Sequence, residues 1–157
     1  EISLEKTYVL EKLLYDPEVS RDVALVREYF QNAPELSCVW SRKSISHQDL
    51  NIDHVLPFAH FLNNDIWNLL PSRSEVNNRK RDKIPSSYQL NISKDLIIHY
   101  WSDLHRNFPE KFSSETNIGL RSNIDFAHNN WHLPLFDALR TKAKFLIEIR
   151  GLEEWEW

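Results

Sequence analysis

The sequence predicts an α+β fold: a small core of two strands and a helix, flanked by N- and C-terminal helices. Three observations carry that expectation. Apolar residues recur at helical spacing over residues 4–15, 17–31, 92–104 and 133–149. They alternate with polar residues from Leu50 to Asp53, as on a half-buried strand. The stretches between are cut by proline. A chain of 157 residues suits one domain, and 41% apolar residues with eight Phe and six Trp exclude disorder. No apolar run approaches the roughly 20 residues of a membrane span.

Residues 1–35 read as a helical support. Leu4, Val9, Leu10, Leu13 and Leu14 mark a first helix over 4–15. Asp16-Pro17 supplies the N-cap and first position of a second, running to about Gln31 with Val19, Val23, Val26 and Phe30 on one side, and Ala33-Pro34 closes it. Residues 36–86 form the core. Residues 37–41 are β-compatible, Arg42-Lys43-Ser44 is a turn candidate and residues 50–55 are a strand, so a hairpin is expected. Pro57 ends that strand, residues 58–65 are a loop, and residues 66–70 re-enter the sheet before Pro71. Ser72 or Ser74 caps a helix to about Arg81, which Ile84-Pro85 stops.

Residues 87–157 are a helical extension. A helix carrying Ile92, Leu96, Ile97, Tyr100, Trp101 and Leu104 follows a cap at Asn91 or Ser93. Residues 107–130 read as irregular, with Pro109 and Gly119 as breakers. A last helix over 133–149 ends at Gly151, and the acidic, aromatic residues 153–157 are expected to touch a missing domain or nothing.

A single cysteine excludes a disulfide framework and any site needing several thiolates, and fits a reducing, cytoplasmic location. No methionine occurs, so Glu1 is not a natural initiator and the chain is expected to be a piece of a longer protein. The net charge of −4 gives no general reason to expect nucleic acid, but its distribution does. Residues 73–83 hold five cations against two anions, a net +3, which leaves −7 for the remainder.

Chemistry concentrates between residues 50 and 86. Asp53-His54 ends the alternating run, Asn68 lies in the second apolar run, and Asn77 lies on the basic helix. A carboxylate, an imidazole and an amide beside Lys and Arg are parts for cutting a phosphodiester with one divalent metal. Asp53-His54-Val55-Leu56-Pro57, Asn68-Leu69 and Asn77-x-x-Lys80, in that order, resemble the HNH endonuclease family, whose ββα-metal core clamps one ion between a hairpin and a helix. The spacings from His54 to Asn68 and from Asn68 to Asn77 are similar to those in the HNH domain of CRISPR RNA-guided DNA nucleases.

The resemblance implies a single HNH nuclease domain with His54 as general base, since histidine titrates near neutrality. Asp53 and Asn77 would supply hard oxygens to Mg²⁺ or Mn²⁺. Asn78 competes with Asn77, but Asn77 shares a helical face with Arg73, Lys80 and Arg81, and the family spacing to Lys80 selects it as well. Asn68 would brace the loop after the base. Lys80 joins this catalytic set and, with Arg73, Arg79, Arg81 and Lys83, would grip phosphate. The positions equivalent to the zinc knuckle of many relatives hold Cys38, Ser41, Arg73 and Val76, so no structural zinc is expected.

DNA is the expected substrate, with RNA as an alternative and a non-cleaving recognition module as a reading from another class. Further domains or subunits and a restriction, anti-phage or mobile-element setting would be typical of the family. His60, His99, His105, His128 and His132 read as surface or packing residues, Trp40 and Trp67 as core, and Cys38 as a buried small side chain.

Overall fold

The computed structural model describes residues 21–157. The helix expected over 4–15, and the Asp16-Pro17 start and Val19 of the next, lie outside the described residues. Within them that second helix, α1 (Ala24–Gln31), starts at Ala24 and buries Val26 and Phe30.

The strand, strand, helix core is β1 (Leu50–His54), β2 (Leu69–Arg73) and α3 (Ser74–Lys80). β1 and β2 run antiparallel, with Ile52 opposite Pro71 and His54 opposite Leu69. The hairpin expected between residues 37–41 and β1 is not formed. Residues 37–41 make one bridge, Ser37 to Ser44, because the chain turns back on itself: Cys38 N–H donates to Lys43 O and Arg42 N–H to Cys38 O. The turn then docks on the far side of β2, where Val39 N–H donates to Pro71 O. That contact explains why β2 runs through Pro71 instead of stopping before it. The carbonyl and nitrogen of one strand residue face the same way, so Pro71 turns its missing donor away from β1 and costs the ladder no bond.

Between the strands lie α2 (Phe58–Phe61), a bend at Leu62 with φ 47°, and a single 3-10 turn, Ile66–Asn68. This connection leans on α5 (Pro109–Gly119), which occupies a stretch expected to be irregular. Pro109 opens that helix rather than breaking it, since the first helical N–H has no intrahelical partner to lose. Gly119 ends it against the connection, where a Cβ would come within 2.5 Å of Asp65 Oδ2 and 3.0 Å of Trp67 Nε1. Ile66 N–H donates to Glu115 Oε2 at 2.8 Å, a second tie to α5.

α4 (Ser87–Asn107) starts earlier than expected: Ser86 is the cap, its hydroxyl accepting from Gln89 N–H, and Ser93 lies buried inside the helix. Leu90, Ile97, Trp101 and Leu104 of α4 pack in one core with Leu135, Phe136, Leu139 and Leu146 of α6 (His132–Glu148), near its expected bounds. Trp101 Nε1 reaches across to Trp67 O at 2.7 Å.

Residues 153–157 were expected to touch a missing domain or nothing, and the structure corrects this. Gly151, at φ 68°, turns the chain after α6, and β4 (Glu154–Trp155) pairs in parallel with β3 (Ile84–Pro85). Trp155 meets Trp40 edge-on, Glu156 accepts from Ser86, and the Trp157 N–H donates to Gln89. No described helix is long and apolar enough to cross a membrane.

Candidate functional site

Asp53, His54, Asn77, Asn78 and Arg81 line one open cleft of about 520 Å³, together with Arg21, Asp82 and the stretch from Pro57 to Ala59. A larger groove of about 680 Å³ lies between α1 and α4, but it holds none of the five.

Asp53 and His54, neighbours on β1, both line the cleft, with no bulge between them. The β1 register is unbroken through both residues; β1 stops at His54 and the chain bends at Val55 and Leu56. Nor is β1 half-buried: Ile52, Asp53 and His54 are each at most 2% exposed. The polar face of the strand is covered by Trp40 and α3. Trp40 Nε1 donates to Asp53 Oδ2 at 2.6 Å, while Lys80 Nζ lies 3.2 Å from both carboxylate oxygens and donates to His54 O at 2.7 Å. Burial pushes the Lys80 ammonium down from its ordinary value, and the Asp53 carboxylate pulls it back.

His54 is held differently. Its Nε2 lies 3.1 Å from Asn64 Oδ1 and its ring tilts against Phe58, while Nδ1 is buried with no hydrogen-bond partner among the described residues. Burial holds the imidazole below its usual value, and Arg21 and Lys80 push the same way; the Asn64 bond and the Asp53 charge oppose them. A neutral ring with an unused nitrogen is the form that accepts a proton.

Asn68 is fully buried and clamps the loop after His54 at both ends of one residue: Oδ1 accepts from Leu56 N–H at 2.8 Å and Nδ2 donates to Leu56 O at 3.0 Å. Asn77 and Asn78 both line the cleft. Asn77 is the less exposed of the two.

The basic run is largely paired with acidic side chains. Lys80 cannot grip phosphate from its position, because its side chain is fully buried on Asp53. Arg73 pairs with Asp49 at 2.9 Å, which holds the Asp49 carboxyl below its usual range, and Asp49 also accepts from Ser74 N–H at the start of α3. That helix was expected to be capped by Ser72 or Ser74, yet its cap comes from a carboxylate before β1. Arg79 pairs with Glu75 and lies over Trp157, and Lys83 pairs with Glu153. Arg81 and Arg21 are both exposed on the cleft, which Asp82 also lines.

Four participants escaped the sequence reading. Trp40 read as core only, Asn64 as part of a turn, Asp49 as nothing, and Arg21 as an ordinary helix residue. Only Asn63-Asn64-Asp65 carried a local signal, and it announced a turn rather than a partner for His54. Of the remaining expectations, Cys38 is buried, with its sulfur 3.4 Å from Arg73 N, and Val76 is core. Trp67 is buried too, and His105 packs among Phe112, Phe126 and Trp131.

No three His, Cys, Asp or Glu residues gather as a metal cage among the described residues. The donor set suits a hard ion that keeps its waters: one carboxylate and one amide on an open cleft leave most of an octahedron to water and phosphate. Residues 38–86 match the family model for HNH endonucleases, just under a third of the chain and the whole of the segment built around β1, β2 and α3. No curated protein matches the sequence.

Proposed function

We propose that residues 38–86, which match the family model for HNH endonucleases, are an HNH endonuclease core and that the chain hydrolyses DNA phosphodiester bonds with one Mg²⁺ or Mn²⁺ ion. The family carries nuclease activity in general. The observation that supports the finer reading is the meeting of Asp53, His54 and Asn77 on a single cleft with Arg81 at its edge. His54 takes a proton from the attacking water. Arg81 and Arg21 orient the phosphate, charge lying where the buried Lys80 has none to offer. Asp53 and Asn77 would hold the ion, which when bound polarises the phosphate and stabilises the departing oxygen. Asp53 is already balanced by Lys80, so this protein binds the ion weakly alone and more tightly once a substrate phosphate shares the site.

The charge balance bears on how substrate arrives. With Arg73, Arg79 and Lys83 paired to acids, the basic run of residues 73–83 offers little attraction to a duplex. Affinity for DNA is then supplied by other domains or subunits. The same neutralisation is the one observation that favours recognition without cleavage.

The purified chain is expected to nick supercoiled plasmid with Mg²⁺ or Mn²⁺ and not with EDTA. His54→Ala should abolish nicking while the circular dichroism spectrum stays unchanged. Cleavage surviving in that variant removes His54 from the chemistry, and a preference for RNA in parallel assays on single- and double-stranded substrates replaces DNA as the target.

A further inference from the structure

We infer that Asn64 is a positioning residue that fixes which nitrogen of His54 carries the proton. The inference rests on His54 being the base and deepens that reading. Asn64 Oδ1 lies 3.1 Å from two groups at once, the backbone N–H of Asp22 and Nε2 of His54. A backbone N–H can only donate, so the amide atom facing it is the oxygen; turned round, the Asn64 NH₂ would meet Asp22 donor to donor. An amide oxygen can only accept, so Nε2 of His54 must donate. The neutral ring is thereby held with its proton on Nε2 and its lone pair on Nδ1, the buried nitrogen without a partner among the described residues.

The loop that presents Asn64 is built to stay put. Asn63 Oδ1 accepts from Asp65 N–H, Asn63 Nδ2 donates to Asp65 Oδ2 at 2.6 Å, and Trp67 Nε1 donates to the same carboxylate at 3.0 Å. Asn68 holds Asn63 O from below, and Gly119 abuts Asp65 from α5. A base whose wrong nitrogen carried the proton would have to rearrange before each turnover. Asn64 removes that step by making the reactive form the resting one.

The test uses the whole chain with ¹⁵N-labelled histidine, at a pH where the ring is neutral. The His54 resonances are identified by their loss in His54→Ala. The native protein is expected to show His54 protonated at Nε2 and bare at Nδ1. Asn64→Asp, which keeps an acceptor, should preserve that pattern. Asn64→Leu should give mixed tautomers and lower kcat by about 10- to 100-fold, the range seen when a partner that orients a metal-ligating histidine is lost, with KM little changed. A native ring protonated at Nδ1, or an Asn64→Leu spectrum identical to native, overturns the inference. The native spectrum decides even if Asn64→Leu fails to fold. Cleavage by His54→Ala would instead remove the base assignment and leave the hydrogen bond standing, so the two failures are distinguishable.

Discussion

Asp53 is gripped from inside the fold by an indole and an ammonium that are themselves buried, whereas its neighbour His54 is steered by one amide on a half-exposed loop. The contrast follows from what each group has to do. A buried carboxylate must have its charge balanced at all times, and removing the balance costs folding energy. A base must change its protonation state, so its partner should orient it without locking it in one charge form. The two holdings therefore report to different measurements, Asp53 to stability and His54 to turnover.

The largest expected effect breaks the first holding. Lys80→Met strands Asp53 without its cation and should cost about 3–5 kcal/mol of stability, read from the urea midpoint. Pairing it with Asp53→Leu should return part of that loss. A cost for Lys80→Met well below this range would show that the Lys80–Asp53 pair does not carry the stability of this corner of the fold. Asn68→Ala comes next. It leaves the N–H and C=O of Leu56 unpaired in the interior and should cost about 3 kcal/mol, one to two for each group, while slowing cleavage through the loop after His54.

A pH profile sharpens the other side of the comparison. Burial lowers the His54 value below the ordinary 6.5, so the ring stays neutral through that pH and the acid limb of cleavage should lie beneath it. The linked stability has the same sign: it is present above 6.5 and is lost as pH falls through the lowered folded value. An acid limb at or above 6.5 would mean that the neighbouring charges outweigh burial. The smallest effect concerns Arg81, held at φ 54° where glycine is at ease. Arg81→Gly should raise stability by up to about 1 kcal/mol, strain relief partly offset by a freer unfolded chain. It should also weaken substrate binding, seen as a higher KM.

How much of this was legible in the sequence depended on distance along the chain. Asp53, His54, Asn68 and Asn77 stood out because their spacing is local, and α6 because five buried residues repeat at helical intervals. The partner of β1 was not legible, since residues 37–41 and 66–70 are both short apolar runs and only three-dimensional register chooses between them. α5 hid because it buries only Phe112 and Thr116, too few for a period to show. Lys80 misled for a plainer reason. A sequence displays its charge, but the Trp40 and Asp53 that surround it come from positions 40 and 27 residues away. The His54 partner was obscured likewise, because Asn63-Asn64-Asp65 serves as a turn and as a ligand for the ring in the same three residues.

The parallel pairing of residues 84–85 with 154–155 has a consequence for biosynthesis. Trp155 is the wall behind Trp40, and Trp40 is the donor to Asp53. A nascent chain that has emerged only through Ser86 already contains every residue matched to the family, yet lacks that backing. The candidate site is thus backed only once residues 154 and 155 have been made and have paired with residues 84 and 85, so its completion waits on a contact from far downstream.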